Sequence, residues 1–281
     1  MQAIAVIGAG TMGHGIAQVC AVAGHPVHLI DRDEAVLARA RTAITDHLAR
    51  AVEKGKLEPA VRTAALDRIT TTTSLAEGVH GAHVVVEAVP EDLELKRRVL
   101  AEAERAAPVT AILASNTSSL SIARLAQPLM RPGRLLGTHF FNPVPVMTLL
   151  EVVRGEATEE AVVDEIRQLG AALGKEVIVV RDAPGFATSR LGVALGMEAI
   201  RMVQEGVASA EDIDKAMVLG YRHPLGPLRL TDLVGLDVRM AIGTYLADAL
   251  GNAAFEPPQL MRDMVAEGRL GKKSGEGFYR W

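Results

Sequence analysis

Residues 2–13, QAIAVIGAGTMG, decide how the rest of the chain is read. Gln2 to Ile7 form an apolar, strand-like run that stops at Gly8, and a helical stretch runs from about Met12 to Ala23 before Gly24 closes it. Between them, Gly8-Ala9-Gly10-Thr11-Met12-Gly13 matches G-x-G-x-x-G. The first glycine permits a tight turn, the second lets backbone approach a pyrophosphate, and the third lets helix and strand pack closely. The helix N-terminus adds aligned amide donors. Such a glycine pattern is weak alone, but here strand and helix flank it. The next apolar run, 26–31 (PVHLID), ends in Asp31. A carboxylate at that place accepts hydrogen bonds from ribose hydroxyls and repels a 2′-phosphate. The adjacent Arg32 could instead accommodate that phosphate. NAD is therefore the expected cofactor and NADP the alternative.

Outward from this loop, further strand-like runs follow at 83–88, 111–115 and 135–140, each preceded by a polar or helical segment. Alternation of this kind implies parallel pairing. The expected fold is α/β, a Rossmann-like, doubly wound, mostly parallel sheet. A long helical segment, 33–66, separates the second and third of these runs, with Arg50, Lys54 and Lys56 about Gly55 at the tip of an expected helical hairpin. A helix over 157–174 and a run over 176–180 precede a break at Asp182-Ala183-Pro184-Gly185. Beyond it the pattern is helical near 186–205, 211–219, 228–250 and 257–268. Residues 1–182 are expected to form the dinucleotide-binding domain and 183–281 an all-α second domain.

Composition narrows the class of function. The 281 residues carry 30 Lys and Arg against 34 Asp and Glu, a net charge of −4. Nucleic-acid binding would show as a basic stripe or face, and none stands out. No window reaches the eighteen or so continuous apolar residues of a membrane span. The N-terminus has no signal-peptide pattern, and the single cysteine, Cys20, cannot form an internal disulfide and is expected to be core packing. A soluble cytoplasmic protein is the expectation. No His, Cys and carboxylate cluster has metal-ligand spacing.

The candidate chemistry lies after the strand-like run 135–140. The segment Thr138-His139-Phe140-Phe141-Asn142-Pro143-Val144-Pro145 leads into a second run, Leu149 to Val153, which contains Glu151. If the proline-bearing loop reverses the chain, His139 and Glu151 are symmetric about residue 145 and face one another across a ladder. Taking a proton from an alcohol at neutral pH needs a base with pKa near 7, and a neighbouring carboxylate orients an imidazole for that task. Ser115-Asn116-Thr117-Ser118-Ser119 follows another strand and should line the same crevice, since ligands of open α/β sheets bind beyond the strands' carboxyl ends. Ser115 is expected to face the ligand, with Ser118 or Ser119 capping a helix.

The motifs GAGTMG, VVEAVPED, ASNTSSL, HFFNPVPVM, DAPGF, HPLGPLRLTDLVGLD and GKKSGEGFY occur in order along essentially the whole chain. Together they resemble the 3-hydroxyacyl-CoA dehydrogenase family, including the bacterial 3-hydroxybutyryl-CoA dehydrogenases. The resemblance implies oxidation of an (S)-3-hydroxyacyl-CoA to the 3-oxo compound, or the reverse. It also implies an N-terminal domain holding NAD, a helical domain that dimerises, and acyl-CoA in the cleft between them. By motif, His139 is the base that takes the 3-hydroxyl proton, and Glu151 holds it. Ser115 bonds the substrate oxygen, and Asn142 places nicotinamide and substrate. Asn116, Glu91 and Lys96 lie at the cofactor. Lys54 and Lys56 meet the charged end of CoA, and Lys272 and Lys273 either do the same or anchor the tail. The chain departs from the family pattern at Ser189, where asparagine is expected; a hydroxyl replaces an amide's paired donor and acceptor. Two alternatives stay open: a dehydrogenase of a free hydroxy acid or sugar acid, and a non-catalytic NAD-binding regulator or structural protein.

Overall fold

A computed structural model of the protein describes residues 2–281. The chain divides into two compact units, one ending at Asp182 and one spanning Ala183–Trp281. The first unit runs β1 (Ile4–Ile7), α1 (Thr11–Val22), β2 (Val27–Ile30), α2 (Glu34–Glu53), α3 (Pro59–Asp67), β3 (Ile69–Thr72), α4 (Leu75–Val79), β4 (Val84–Glu87), α5 (Leu93–Ala106) and β5 (Ile112–Ser115). It continues with α6 (Ile122–Ala126), β6 (Leu135–Phe140), β7 (Leu149–Arg154), α7 (Glu160–Ala172) and β8 (Glu176–Arg181).

One eight-stranded sheet results, in the order β3-β2-β1-β4-β5-β6-β7-β8. Pairing is parallel from β3 to β6, antiparallel between β6 and β7, and parallel again between β7 and β8. This is the doubly wound, mostly parallel sheet expected. Its central strands are apolar without alternation: all four residues of β1, Ile4-Ala5-Val6-Ile7, are buried. A parallel sheet covered on both faces requires such runs. The order reverses between β1 and β4, and ligands of such open sheets bind beyond the carboxyl ends of the strands at that switch point.

Two expectations need correction. A strand, β3, follows the α2–α3 helical pair at an edge where none was expected. Ile69-Thr-Thr-Thr has one buried apolar residue, so no hydrophobic period announces it. Parallel register with β2 and β-branched side chains hold it there. The helical stretch 228–250 is two helices, because Gly235 takes φ +102°, a conformation costly for any other residue.

The second unit contains α8 (Thr188–Gln204), α9 (Ala210–Lys215) with a following π turn Ala216–Gly220, α10 (Pro227–Val234), α11 (Leu236–Leu250) and α12 (Gln259–Ala266). Val193, Met197, Ile200, Leu228, Leu236, Leu246 and Met261 form its core. Two buried carboxylates organise its polar interior. Asp214 accepts from Leu228 N and Arg229 N at the start of α10, and Tyr279 Oη donates to it at 2.7 Å. Asp232 accepts from Phe278 N, Tyr279 N and Trp281 Nε1, each at 2.9 Å. A side chain at Gly277 would bring its Cβ within 2.2 Å of Asp232 Oδ1, which explains a glycine at that point of the terminal motif.

Candidate active site

The glycine loop joins β1 to α1. Gly8 has φ +99°, and a Cβ there would meet Ala88 O at 2.7 Å. A Cβ on Gly13 would lie 1.7 Å from Gly8 O, so the third glycine is demanded by the turn itself. Gly10 differs: a Cβ there meets nothing within 4 Å. Neither turn nor packing explains a glycine at this position, but close approach of the loop's own backbone to a pyrophosphate would. Helix α1 starts at Gly10 without a side-chain cap, leaving its first-turn amides to an outside acceptor. Asp31, past the end of β2, braces the loop, its Oδ2 accepting from Ala9 N at 2.9 Å. These residues fit a dinucleotide.

On the other half of the sheet, the loop after β6 turns the chain back. The antiparallel register sets His139 opposite Glu151, and Nδ1 and Oε2 lie 2.9 Å apart. Glu151 is fully buried, and His139 is 8% exposed. The Phe141 ring packs on the imidazole at 4.3 Å between centroids. The carboxylate accepts from Nδ1–H, which leaves Nε2 as the ring's proton acceptor.

Between these two regions lies a charged network that the sequence reading did not bring together. Lys96 of α5 is fully buried. Its ammonium donates to Glu87 Oε1 at 2.7 Å, Val89 O at 3.1 Å and Asn116 O at 3.2 Å, and lies 3.4 Å from Glu91 Oε2. Glu87 ends β4 and also accepts from Val89 N and from Ser115 Oγ at 2.6 Å. Burial pushes the Glu87 carboxyl up, against the pull of Lys96 and these donors. Burial works the same way on Glu91. There Lys96, Thr117 and Ser118 outweigh it and hold the carboxyl below the ordinary carboxylate range. Glu91 Oε1 gathers Thr117 Oγ1 at 2.6 Å, Ser118 N at 2.9 Å and Ser119 N at 3.2 Å. Lys96 thus ties the loop after β4 to the loop after β5. The sequence signal for Glu87 was an acid ending the apolar run Val84-Val85-Val86, with a lysine nine residues later.

Two expectations for the Ser115–Ser119 segment are corrected. Ser115 is fully buried, with its hydroxyl donated to Glu87, so it does not face a ligand; Ser118 and Ser119 are half-buried on the loop beyond it. Neither of those caps the helix, because Ser121 does, accepting from Arg124 N at the start of α6. Asn116 supports the end of β6, its Oδ1 accepting from Phe140 N at 3.1 Å.

The remaining candidates are placed as follows. Arg32 and Asn142 are exposed. Lys54 and Lys56 are exposed beside Gly55 at the tip of the α2–α3 pair. Lys273 is committed to Asp237 of α11 at 2.6 Å, and Lys272 lies 5.2 Å from the Trp281 ring centroid, both as tail anchors. Ser189 is half-buried in the first turn of α8. Cys20 is buried, and burial pushes its thiol up to about 12.

Comparison with known proteins gives this geometry a family. The model of the "3-hydroxyacyl-CoA dehydrogenase, NAD binding domain" matches residues 3–183, and that of the "3-hydroxyacyl-CoA dehydrogenase, C-terminal domain" matches 185–281. A 3-hydroxybutyryl-CoA dehydrogenase of Mycobacterium tuberculosis is 44% identical over 100% of this chain and 99% of its own. The human mitochondrial hydroxyacyl-coenzyme A dehydrogenase is 42% identical over 99% of this chain and 90% of its own. Among solved structures, an (S)-3-hydroxybutyryl-CoA dehydrogenase from Ralstonia eutropha superposes with a TM-score of 0.96 at 40% identity, covering 100% of this chain and 99% of that one. The chain belongs to the 3-hydroxyacyl-CoA dehydrogenase family.

Proposed function

We propose that the protein is an NAD-dependent dehydrogenase that interconverts (S)-3-hydroxyacyl-CoA and 3-oxoacyl-CoA, with short chains such as 3-hydroxybutyryl-CoA as the favoured substrates. The observation that carries this reading is the buried 2.9 Å contact between His139 Nδ1 and Glu151 Oε2, on a sheet whose first turn is built for a dinucleotide. With its Nδ1 proton held by Glu151, His139 takes the 3-hydroxyl proton on Nε2. Glu151 stabilises the imidazolium as it forms, and in the reverse direction His139 returns that proton. NAD, when bound, accepts the hydride that leaves C3. The donor for the substrate oxygen is assigned to the half-buried serines Ser118 and Ser119 rather than to Ser115. Asn142, on the loop after His139, helps to place nicotinamide and substrate, and Lys54 and Lys56 meet the phosphates of CoA.

A homodimer through the helical unit fits the apolar side chains left exposed there, Leu191 on α8, Leu230, Leu233 and Val234 on α10, and Val238 on α11. Cytoplasmic residence fits a lone, buried cysteine. Among the described residues, no helix is long and apolar enough to cross a membrane.

The test is a steady-state comparison, with NAD and with NADP, across 3-hydroxyacyl-CoA chains of increasing length and the matching free acids. Turnover should favour the thioester and NAD, and His139→Ala should lower it by about 10²–10⁴-fold with NADH affinity retained. Equal turnover of the free acid would assign the scaffold to another alcohol. Undiminished turnover in the His139 variant would remove the proposed base.

A further inference from the structure

The acid and the base stand on two strands whose connecting loop must keep them in register, and that loop has few holds of its own. Over residues 141–148 it contains two prolines and a short turn in which Pro143 O accepts from Val146 N and Met147 N. Most of its side chains are exposed, Val146 and Met147 among them. Val144 is buried, and it lies so close to α1 that a Cβ at Gly15 would meet its Cβ at 2.9 Å. The remaining hold comes from outside the loop. Lys175, between α7 and β8, is 8% exposed and points its ammonium at the loop's backbone. Its Nζ donates to Val144 O at 2.6 Å and to Met147 O at 2.7 Å. The main chain at Lys175 is fixed on both sides. Its own N–H bonds Gly170 O, and the next residue's N–H bonds Thr148 O.

A lysine held this way is costly. No carboxylate of the described residues forms an ion pair with it, and burial lowers its pKa. Among the described residues, the only titratable group acting on it is Cys20 of α1, whose thiol, pushed up by burial, stays protonated at neutral pH. Packing alone would be served better by methionine, with no charge to desolvate. What an ammonium adds is donors that grip two carbonyls on opposite sides of one turn.

We propose that Lys175 is a positioning residue for the dehydrogenase reaction: its ammonium clamps the 141–148 loop and thereby fixes the His139–Glu151 pair for proton transfer. This rests on the reading of His139 as the base. The clamp acts on the turnover step and leaves the dinucleotide loop untouched, because Lys175 contacts the β6–β7 connection and not the β1–α1 turn.

The experiment compares wild type, K175M, K175R and H139A for kcat and KM with 3-hydroxybutyryl-CoA, for NADH affinity by fluorescence, and for melting temperature. K175M should lose about 10–100-fold in kcat, the scale of a small misplacement of reacting groups. Its NADH affinity should stay within about twofold. K175R, which keeps a cation with several donors, should recover most of the lost kcat. If K175M does not fold, K175Q takes its place with the same expected split. Wild-type kcat in K175M, a loss of NADH affinity parallel to the loss of kcat, or no recovery in K175R would each overturn the clamp. A fully active H139A would instead overturn the reading of the base, so the two failures are distinguishable.

Discussion

Glu91 shows how one side chain can carry a loop. Its carboxylate gathers the hydroxyl and amides of the Thr117–Ser119 turn and faces the buried Lys96. Its pKa is held below the ordinary value, about 4.3 for glutamate. A group depressed in the folded state contributes stability that is present above its unfolded pKa and lost as pH falls through the folded one. Glu91→Gln should therefore lower stability at pH 7 and flatten the decline of stability below about pH 4.3. Denaturant titrations at stepped pH measure both, and an unchanged acid slope would refute the assignment. At this scale the sequence was legible in geometry: the turn of Gly8, Gly10 and Gly13 with Asp31 behind it, and His139 facing Glu151 across a reversing loop. The burial of Ser115 was not legible, because the partner of its hydroxyl, Glu87, lies 28 residues earlier, in register on the neighbouring strand β4. Lys175 was not legible at all, since its partners are two carbonyls with no sequence signal.

At the scale of elements, the β1–α1 turn separates two demands that one motif compresses. Gly13 answers to the fold, whereas Gly10 has no neighbour that a Cβ would meet and answers to the proposed dinucleotide. Gly13→Ala forces its Cβ onto Gly8 O and should cost about 1–3 kcal/mol or more of stability, read as a lower unfolding midpoint. Gly10→Ala meets open space and should leave that midpoint unchanged. It should weaken NADH by the loss of hydrogen bonds to a charged group, about 1.5–3 kcal/mol. Equal melting temperatures for the two variants would show that the turn tolerates a side chain at Gly13 after all. The same contrast explains which elements could be read from the chain. Central strands announce themselves as unbroken apolar runs because both faces are covered. The edge strand β3 does not, because threonines suit a half-exposed ladder and leave no period. The join of α10 and α11 was hidden for a related reason. Their apolar positions continue through Gly235, and only its backbone conformation breaks the helix.

At the scale of the whole molecule, the two units are built on different economies. The sheet unit buries long apolar runs, whereas the helical unit ties its tail to Asp214 and Asp232 and leaves apolar side chains exposed on α8, α10 and α11. If the proposed homodimer uses this face, Leu233→Asp should shift sedimentation from dimer to monomer while NADH binding by the sheet unit survives; a species that remains dimeric would move the interface elsewhere, and a monomeric wild type would remove the dimer. The sequence conveyed the two-part character through the loss of strand pattern after the Asp182–Gly185 break, but an unpartnered apolar face reads in sequence like ordinary core. The hairpin of β6 and β7 has a consequence for synthesis. His139 and Glu151 are 12 residues apart, so closing the loop between them costs little chain entropy. On a ribosome releasing the chain from its N-terminus, acid and base can meet as soon as β7 is free. Lys175 emerges shortly afterwards to secure them, while the helical unit is still being made. The reactive pair is then a product of local chain order, assembled before the protein that will use it is complete.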